Sequence, residues 1–221
     1  MHGRAGRAVI RRYWGIAAAL ALAMVFAAAA VLVSSGGSRA TAEANSRTPK
    51  ATSADAGFAR DMSAHHQQAV EMSFIVRDRT SDEEVRRLAY DIANTQANQR
   101  GMMLGWLDLW GMPKNEASQL PMAWMGMGME PGADGALMPG MATNADLDKL
   151  RGLSGRDAEV LYLRLMTEHH KGGIHMAEGC VERCTVGPEK RLAQGMVDAQ
   201  QSEIDLMAQM LKKRGATVRT G

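Results

Sequence analysis

The chain has 221 residues, 46% of them hydrophobic and only two of them cysteine. That length can bury a sizeable core, while two cysteines exclude a disulfide-built scaffold and a four-cysteine zinc module. The formal charge of +2 is unevenly spread: five of the 26 basic residues (Arg4, Arg7, Arg11, Arg12 and Arg39) and none of the 24 acidic ones lie in residues 1–42, so the remainder carries −3 and lacks the basic footprint of a nucleic-acid binder.

Gly15–Val33 is a 19-residue run without charge, about 28 Å long as a helix and enough for one membrane crossing. The arginines before it predict a cytoplasmic N-terminus and an exported remainder. Ala40-Thr41-Ala42 reads as a small-x-small cleavage site. Two readings of residues 1–34 therefore stand side by side, a retained membrane anchor and a cleaved signal peptide. Both put the working part outside the cytoplasm, at the outer membrane face or secreted. Residues 35–54, rich in Ser, Gly, Ala and Thr, read as a flexible linker.

Beyond the linker the sequence repeats itself at an offset of 104. Phe58 aligns with Tyr162, Met62 with Met166, His65-His66 with His169-His170, and Met72 with Met176. Gln96 then aligns with Gln200, Gln99 with Glu203, Met103 with Met207, Trp106 with Met210, and Gly111 with Gly215, all without a gap. Each copy carries two segments of helical period, 56–78 and 82–111 in the first, 155–180 and 188–214 in the second. Ser81-x-x-Glu84 and Ser154-x-x-Asp157 read as N-terminal caps, Pro188 suits a first helical turn, and Gly111 and Gly215 suit helix ends. No segment alternates with period two. The expected fold is all-α: a four-helix bundle over 55–214, built from two duplicated hairpins that bury their apolar stripes against each other. Residues 112–153 form the crossover, with a short helix near 145–152, and 215–221 a tail.

At 100° per residue Met62, His65, His66, Ala69, Met72, Ser73 and Val76 share one stripe, and Met166, His169, His170, Gly173 and Met176 share its counterpart. The partner helices carry Val85, Leu88, Ala89, Ile92, Gln96, Gln99, Met103, Trp106 and Leu107, and Leu192, Met196, Gln200, Glu203, Met207 and Met210. Imidazoles, amides and one carboxylate thus interrupt the apolar stripes at matching heights in both halves, which points to a shared interior polar site. Imidazole with thioether suits copper, since methionine sulfur is a soft neutral donor that favours Cu(I) while imidazole accepts both Cu(I) and Cu(II). The expected ligands are Met62, His65, His66, Met72, Met166, His169, His170 and Met176. Gln96, Gln99, Met103, Gln200, Glu203 and Met207 surround them as outer partners. His175 falls on the opposite face and reads as a surface residue.

Methionine is the compositional outlier, 18 in all and 16 of them beyond Ala42, against three phenylalanines. The crossover concentrates them: Met122, Met125, Met127, Met129, Met138 and Met141 lie among glycines and prolines. A segment without apolar period reads as a set of Cu(I)-capturing thioethers, or as a lid over the bundle with Trp124 as its anchor. Cys180 and Cys184, where the third long helix should end, read first as a disulfide formed where the helix unwinds and second as a Cys-x-x-x-Cys Cu(I) site. The first copy has Val76 and Thr80 there, so the pair is not part of the duplication.

Phe58-x-x-x-Met62-x-x-His65-His66-x-x-Ala69-x-x-Met72 and Met166-x-x-His169-His170-x-Gly172-Gly173-x-x-Met176-Ala177, with Gln200-x-x-Glu203-x-x-x-Met207, closely resemble domain-of-unknown-function family 305. The resemblance covers residues 55–214. It implies a ferritin-like four-helix fold, export, an association with copper binding and copper tolerance, and metal-binding roles for the eight His and Met residues named above.

Three functions are then in play. The first is an exported, non-enzymatic copper binder that sequesters or carries the metal. The second is an oxidase on a ferritin-like bundle. Its diiron form needs inward Glu-x-x-His motifs that this sequence lacks, which leaves a redox-active copper variant. The third is a metal-free envelope scaffold whose partner is a protein. The sequence leaves open whether copies of the chain pair.

Overall fold

The computed structural model describes residues 48–218. The anchor and signal readings of residues 1–34, most of the linker and residues 219–221 lie outside the described residues. The described chain is all-helical, with α1 at Ala54–Arg77, α2 at Glu83–Leu109, α3 at Asn144–Gly152, α4 at Gly155–Arg183 and α5 at Gly187–Lys213. Two 3-10 turns, Ala123–Met125 and Ala133–Gly135, punctuate the crossover, and no strand occurs among the described residues. No helix among them is long and apolar enough to cross a membrane.

Local chemistry sets the helix ends. Ser53 caps α1 by accepting the Ala56 amide at 3.2 Å. The cap of α2 is Asp82, which accepts the Val85 amide at 3.0 Å, so the expected Ser81 cap is displaced by one residue. The reason lies one step upstream: Thr80 Oγ1 accepts the Asp82 amide at 3.0 Å and turns the chain so that Asp82 faces the helix. Ser154 makes no side-chain cap on α4, against expectation. Gly155 instead takes a left-handed φ of 55° and donates its amide to the Arg79 carbonyl at 2.7 Å, which replaces the cap. Thr143 and Asp146 form a reciprocal capping box on α3, and Pro188 stands in the first turn of α5. Gly111 and Gly215 both have positive φ just past α2 and α5.

α1 packs on α2, α4 on α5, and the two pairs meet along α1 and α4. The core falls into two apolar clusters. One holds Met72 and Val76 of α1, Ile92 of α2, Tyr162 and Met166 of α4, and Met207 and Leu211 of α5. The other holds Phe58 and Met62 of α1, Met103 and Leu107 of α2, Met176 and Cys180 of α4, and Met196 of α5. Each long helix thus runs from one cluster to the other, with neighbours antiparallel. Between the clusters, at one level on all four helices, stand the histidines, Gln96, Gln99, Gln200 and Glu203.

The crossover folds back on this core. Gln68 of α1 clasps the backbone of Ala142 twice, donating to its carbonyl at 2.9 Å and accepting its amide at 2.7 Å. Trp124 packs on Gly57 and meets Phe58 edge-on at 5.9 Å. Asp61 Oδ2 accepts both the Met122 amide at 2.8 Å and the Trp124 indole N–H at 2.9 Å. Burial pushes the Asp61 pKa up against those two hydrogen bonds. At the far end, buried Arg214 pairs with Glu159 at 2.6 Å, and Glu159 accepts the Thr80 hydroxyl, tying the end of α5 to the α1–α2 turn.

Where α4 ends, Cys184 is the extended cap residue and is joined to Cys180 by a disulfide. Asp55 accepts the Thr185 amide at 2.8 Å and the Val186 amide at 2.7 Å, fixing the turn into α5. Beside it Glu189 is fully buried, and its pKa rises to about 9, through desolvation first and the Asp55 charge second. Unfolded, Glu189 loses its proton near 4.5, whereas folded it keeps the proton to about 9, so folding stability drains away as pH rises across that window. Glu189→Gln, which keeps the shape of the side chain without ionising, should remove this slope. Thermal melts at pH 5 and pH 8 should show the variant gaining on the parent by several degrees at the higher pH, since each ~1 kcal/mol moves Tm by about 2–4 °C at this size. Parallel pH profiles would contradict a protonated Glu189.

Candidate metal centre

The four histidines are fully buried. They arrive there because positions 65, 66, 169 and 170 fall on the inward stripes of α1 and α4, one turn past Met62 and Met166. Each ring engages an acceptor through Nε2. His65 donates to the Pro139 carbonyl at 3.3 Å and His169 to the His65 carbonyl at 2.9 Å. His66 donates to Gln99 Oε1 at 2.8 Å and His170 to Glu203 Oε2 at 2.6 Å. A carbonyl or carboxylate can only accept, so each ring carries a proton on Nε2, and in a neutral ring Nδ1 keeps its lone pair. All four Nδ1 atoms are buried without a hydrogen-bond partner.

Electrostatics keeps His65, His66 and His169 neutral. Burial, reinforced by His66, lowers the His65 pKa to about 3, and burial lowers that of His66 to about 4 despite the Gln99 hydrogen bond. Burial and then His65 hold His169 well below its ordinary value. The layer thus offers buried ring nitrogens without partners, each ring oriented from behind by an oxygen, which is how protein imidazoles are prepared for a metal.

The four rings do not converge on one point. His65 and His169 stack at 3.7 Å between centroids with a 30° tilt, so their in-plane lone pairs are not aimed at a common ion between the rings. Among the described residues, the one group of three or more His, Cys, Asp or Glu donors within 4.8 Å of one another is Cys180, Cys184 and Glu189. Low coordination by single imidazoles and nearby thioethers fits the layer better than a four-nitrogen cage. Met62, Met103 and Met176 lie in the apolar cluster on one side, and Met72, Met166 and Met207 in the cluster on the other, all buried.

The outer partners divide. Gln99 and Glu203, aligned in the repeat, hold the second histidine of the first and of the second pair respectively. Gln96 is buried with both amide atoms unpartnered, and Gln200 Oε1 is likewise unpartnered, so both remain free to turn toward a guest. His175 is exposed on α4. The crossover methionines are graded: Met122 and Met138 are buried in the second cluster, Met125, Met129 and Met141 pack partly against it, and Met127 is 42% exposed. The crossover is therefore both methionine-rich and a lid.

Residues that periodicity did not single out close the site. Pro139 supplies the acceptor for His65, and Gly172 lets it come close, because a Cβ there would overlap the Pro139 carbonyl. In the repeat Gly172 aligns with Gln68. One copy holds the crossover with an amide while the other makes room for it. That departure from the repeat was the available signal.

The fold and site together define an all-helical protein with a buried, pre-oriented imidazole layer between methionine-bearing apolar clusters. The chain belongs to the domain of unknown function family DUF305, whose model matches residues 55–211. It is similar to a DUF305 protein from Streptomyces coelicolor proposed to be secreted, at 69% identity over 78% of this chain and 100% of that one, with a TM-score of 0.73. It is similar to a DUF305 fragment from Deinococcus radiodurans at 32% identity over 75% and 99% of the two chains, TM-score 0.63. Cu(II)-bound CopM shares the fold at 24% identity over 73% and 97%, TM-score 0.55. No functionally curated protein matches the chain in sequence.

Proposed function

We propose that this chain is an exported copper-binding protein that sequesters or carries Cu(I) through His–Met sites in a ferritin-like four-helix bundle grown by hairpin duplication. The observation that carries the reading is the set of four buried, unpartnered Nδ1 atoms, two in each copy of the repeat, with their rings held from behind. Left empty, such groups cost stability; a soft cation satisfies them. Structures of CopM with Cu(II), Cu(I) and silver bound support the same chemistry in a relative of this fold. The Streptomyces protein supports export. His65, His66, His169 and His170 would supply nitrogen, and Met62, Met72, Met166 and Met176 sulfur. Copper ions are the partner; a membrane is one too if residues 15–33 are retained.

An anaerobic Cu(I) titration against a chromophoric competitor tests the reading. Stoichiometric withdrawal of copper is the expected result, and a parallel aerobic assay should show no catalytic consumption of reductant. No withdrawal would return the layer to a structural role.

The crossover methionines would present the metal from solvent, from exposed Met127 through Met125, Met129 and Met141 to buried Met122 and Met138. Changing all six to leucine keeps side-chain volume nearly constant, at a cost below about 1.5 kcal/mol per buried site, and removes the crossover thioethers. Fewer Cu(I) ions per chain, with unchanged helicity by circular dichroism, are expected; an unchanged count would make the crossover a lid only.

A further inference from the structure

The tightest cluster of donors lies away from the histidine layer, at the α4–α5 turn. Cys180 is fully buried, Cys184 is 3% exposed and Glu189 is 0% exposed, with ligand atoms of all three within 4.8 Å. Neither Glu189 oxygen has a hydrogen-bond donor. The neighbouring Asp55 already accepts from the Thr185 and Val186 amides and the Thr185 hydroxyl.

This arrangement is hard to explain as a staple. A bridge between residues four apart closes a very short loop, so it restricts the unfolded chain little. A buried carboxyl facing it adds a desolvation cost. The surroundings are those of a soft-metal path. The disulfide shares its cluster with Met62, Met122, Met138, Met176 and Met196. Met176 stands one turn before Cys180, and the Met125 side chain lies against Gly179, its chain neighbour.

We propose that Cys180 and Cys184 form a redox-gated Cu(I) site, closed as the disulfide and opened by a dithiol reductant into two sulfur donors facing Glu189. A donor thiolate attacks the sulfur of Cys184, at 3% exposure the less buried of the two, and Cys180 departs as a thiolate that takes up the proton released by the attacking thiol. The donor's second sulfur then displaces Cys184, so the donor leaves as a disulfide and its two protons end on the cysteines. Two electrons pass from donor to protein. Cu(I) next displaces both thiol protons to solvent and forms two Cu–S bonds. Thiolate and thioether surroundings select a soft monovalent ion.

The site rests on the copper reading, but its test scores a difference between two redox states of one chain. The purified full chain is divided, one half kept oxidised and the other treated with dithiothreitol and desalted anaerobically, and both are titrated with Cu(I) against a chromophoric competitor. The reduced half should show two titratable thiols and bind one more Cu(I) than the oxidised half. Cys180→Ser with Cys184→Ser should abolish that increment while the oxidised protein's count and helicity stay unchanged. Equal counts in the two states, failure of the dithiol to expose thiols in the folded protein, or a preference of the reduced pair for Zn(II) would overturn the proposal. Failure of the histidine layer would appear separately, as a copper count in the oxidised half that replacing His65, His66, His169 and His170 with alanine leaves unchanged.

Discussion

Replacing His65, His66, His169 and His170 together with alanine should abolish copper binding to the bundle while its helices persist. Outer partners of metal ligands alone are worth about 10–100-fold in affinity, so loss of the rings should exceed that upper figure. Survival of the fold is expected for two reasons. Alanine is the best helix former, and the change removes four buried acceptors that have no partner, offsetting part of the cavity cost. A graded companion is Glu203→Gln, which keeps an acceptor for His170 but removes the charge behind it; copper affinity should fall by about tenfold. Competition titrations with circular dichroism as the folding control decide both. Unchanged affinity in the fourfold variant would sink the bundle site outright.

Gly172→Ala should damage both the fold and the site. The new Cβ would overlap the Pro139 carbonyl oxygen, stand 2.7 Å from its carbon and 3.2 Å from the Gly140 Cα, all backbone that no rotamer change can move. Overpacking of this kind costs about 1–3 kcal/mol. It also pushes away the carbonyl that orients His65. A lower Tm and weaker copper binding are expected together. Gly195→Ala on α5 is the control, since nothing lies within 4 Å of its Cβ position; there the same change should stabilise the helix by about 0.5–1 kcal/mol. Similar behaviour of the two variants would show that the crossover is not seated on Gly172.

The contrast between these glycines shows where sequence reasoning stops. Both lie in helices, and period and propensity treat them alike. Only the return of the crossover, more than thirty residues upstream of Gly172, distinguishes them. The same applies to Gln68, which reads as an ordinary polar position until its amide is seen to clasp Ala142, and to Asp61, which gathers Met122 and Trp124. The cap assignments failed on a smaller scale. Ser81 and Asp82 are both good caps, and the Thr80 hydroxyl chose between them.

What the sequence determined by itself was the inward content. Helical period and the offset of 104 put two histidine pairs, their methionines and the aligned Gln99 and Glu203 on buried stripes, because side-chain direction in a helix follows from position alone. What only the tertiary structure decided was how those groups meet. The split of the core into two apolar clusters around a polar layer, the stacking of His65 on His169, the choice of Nε2 as donor and the seating of the crossover depend on contacts between residues far apart in the chain. Periodicity fixes which face a residue shows; distance and lone-pair direction across helices come from packing, which no local pattern encodes.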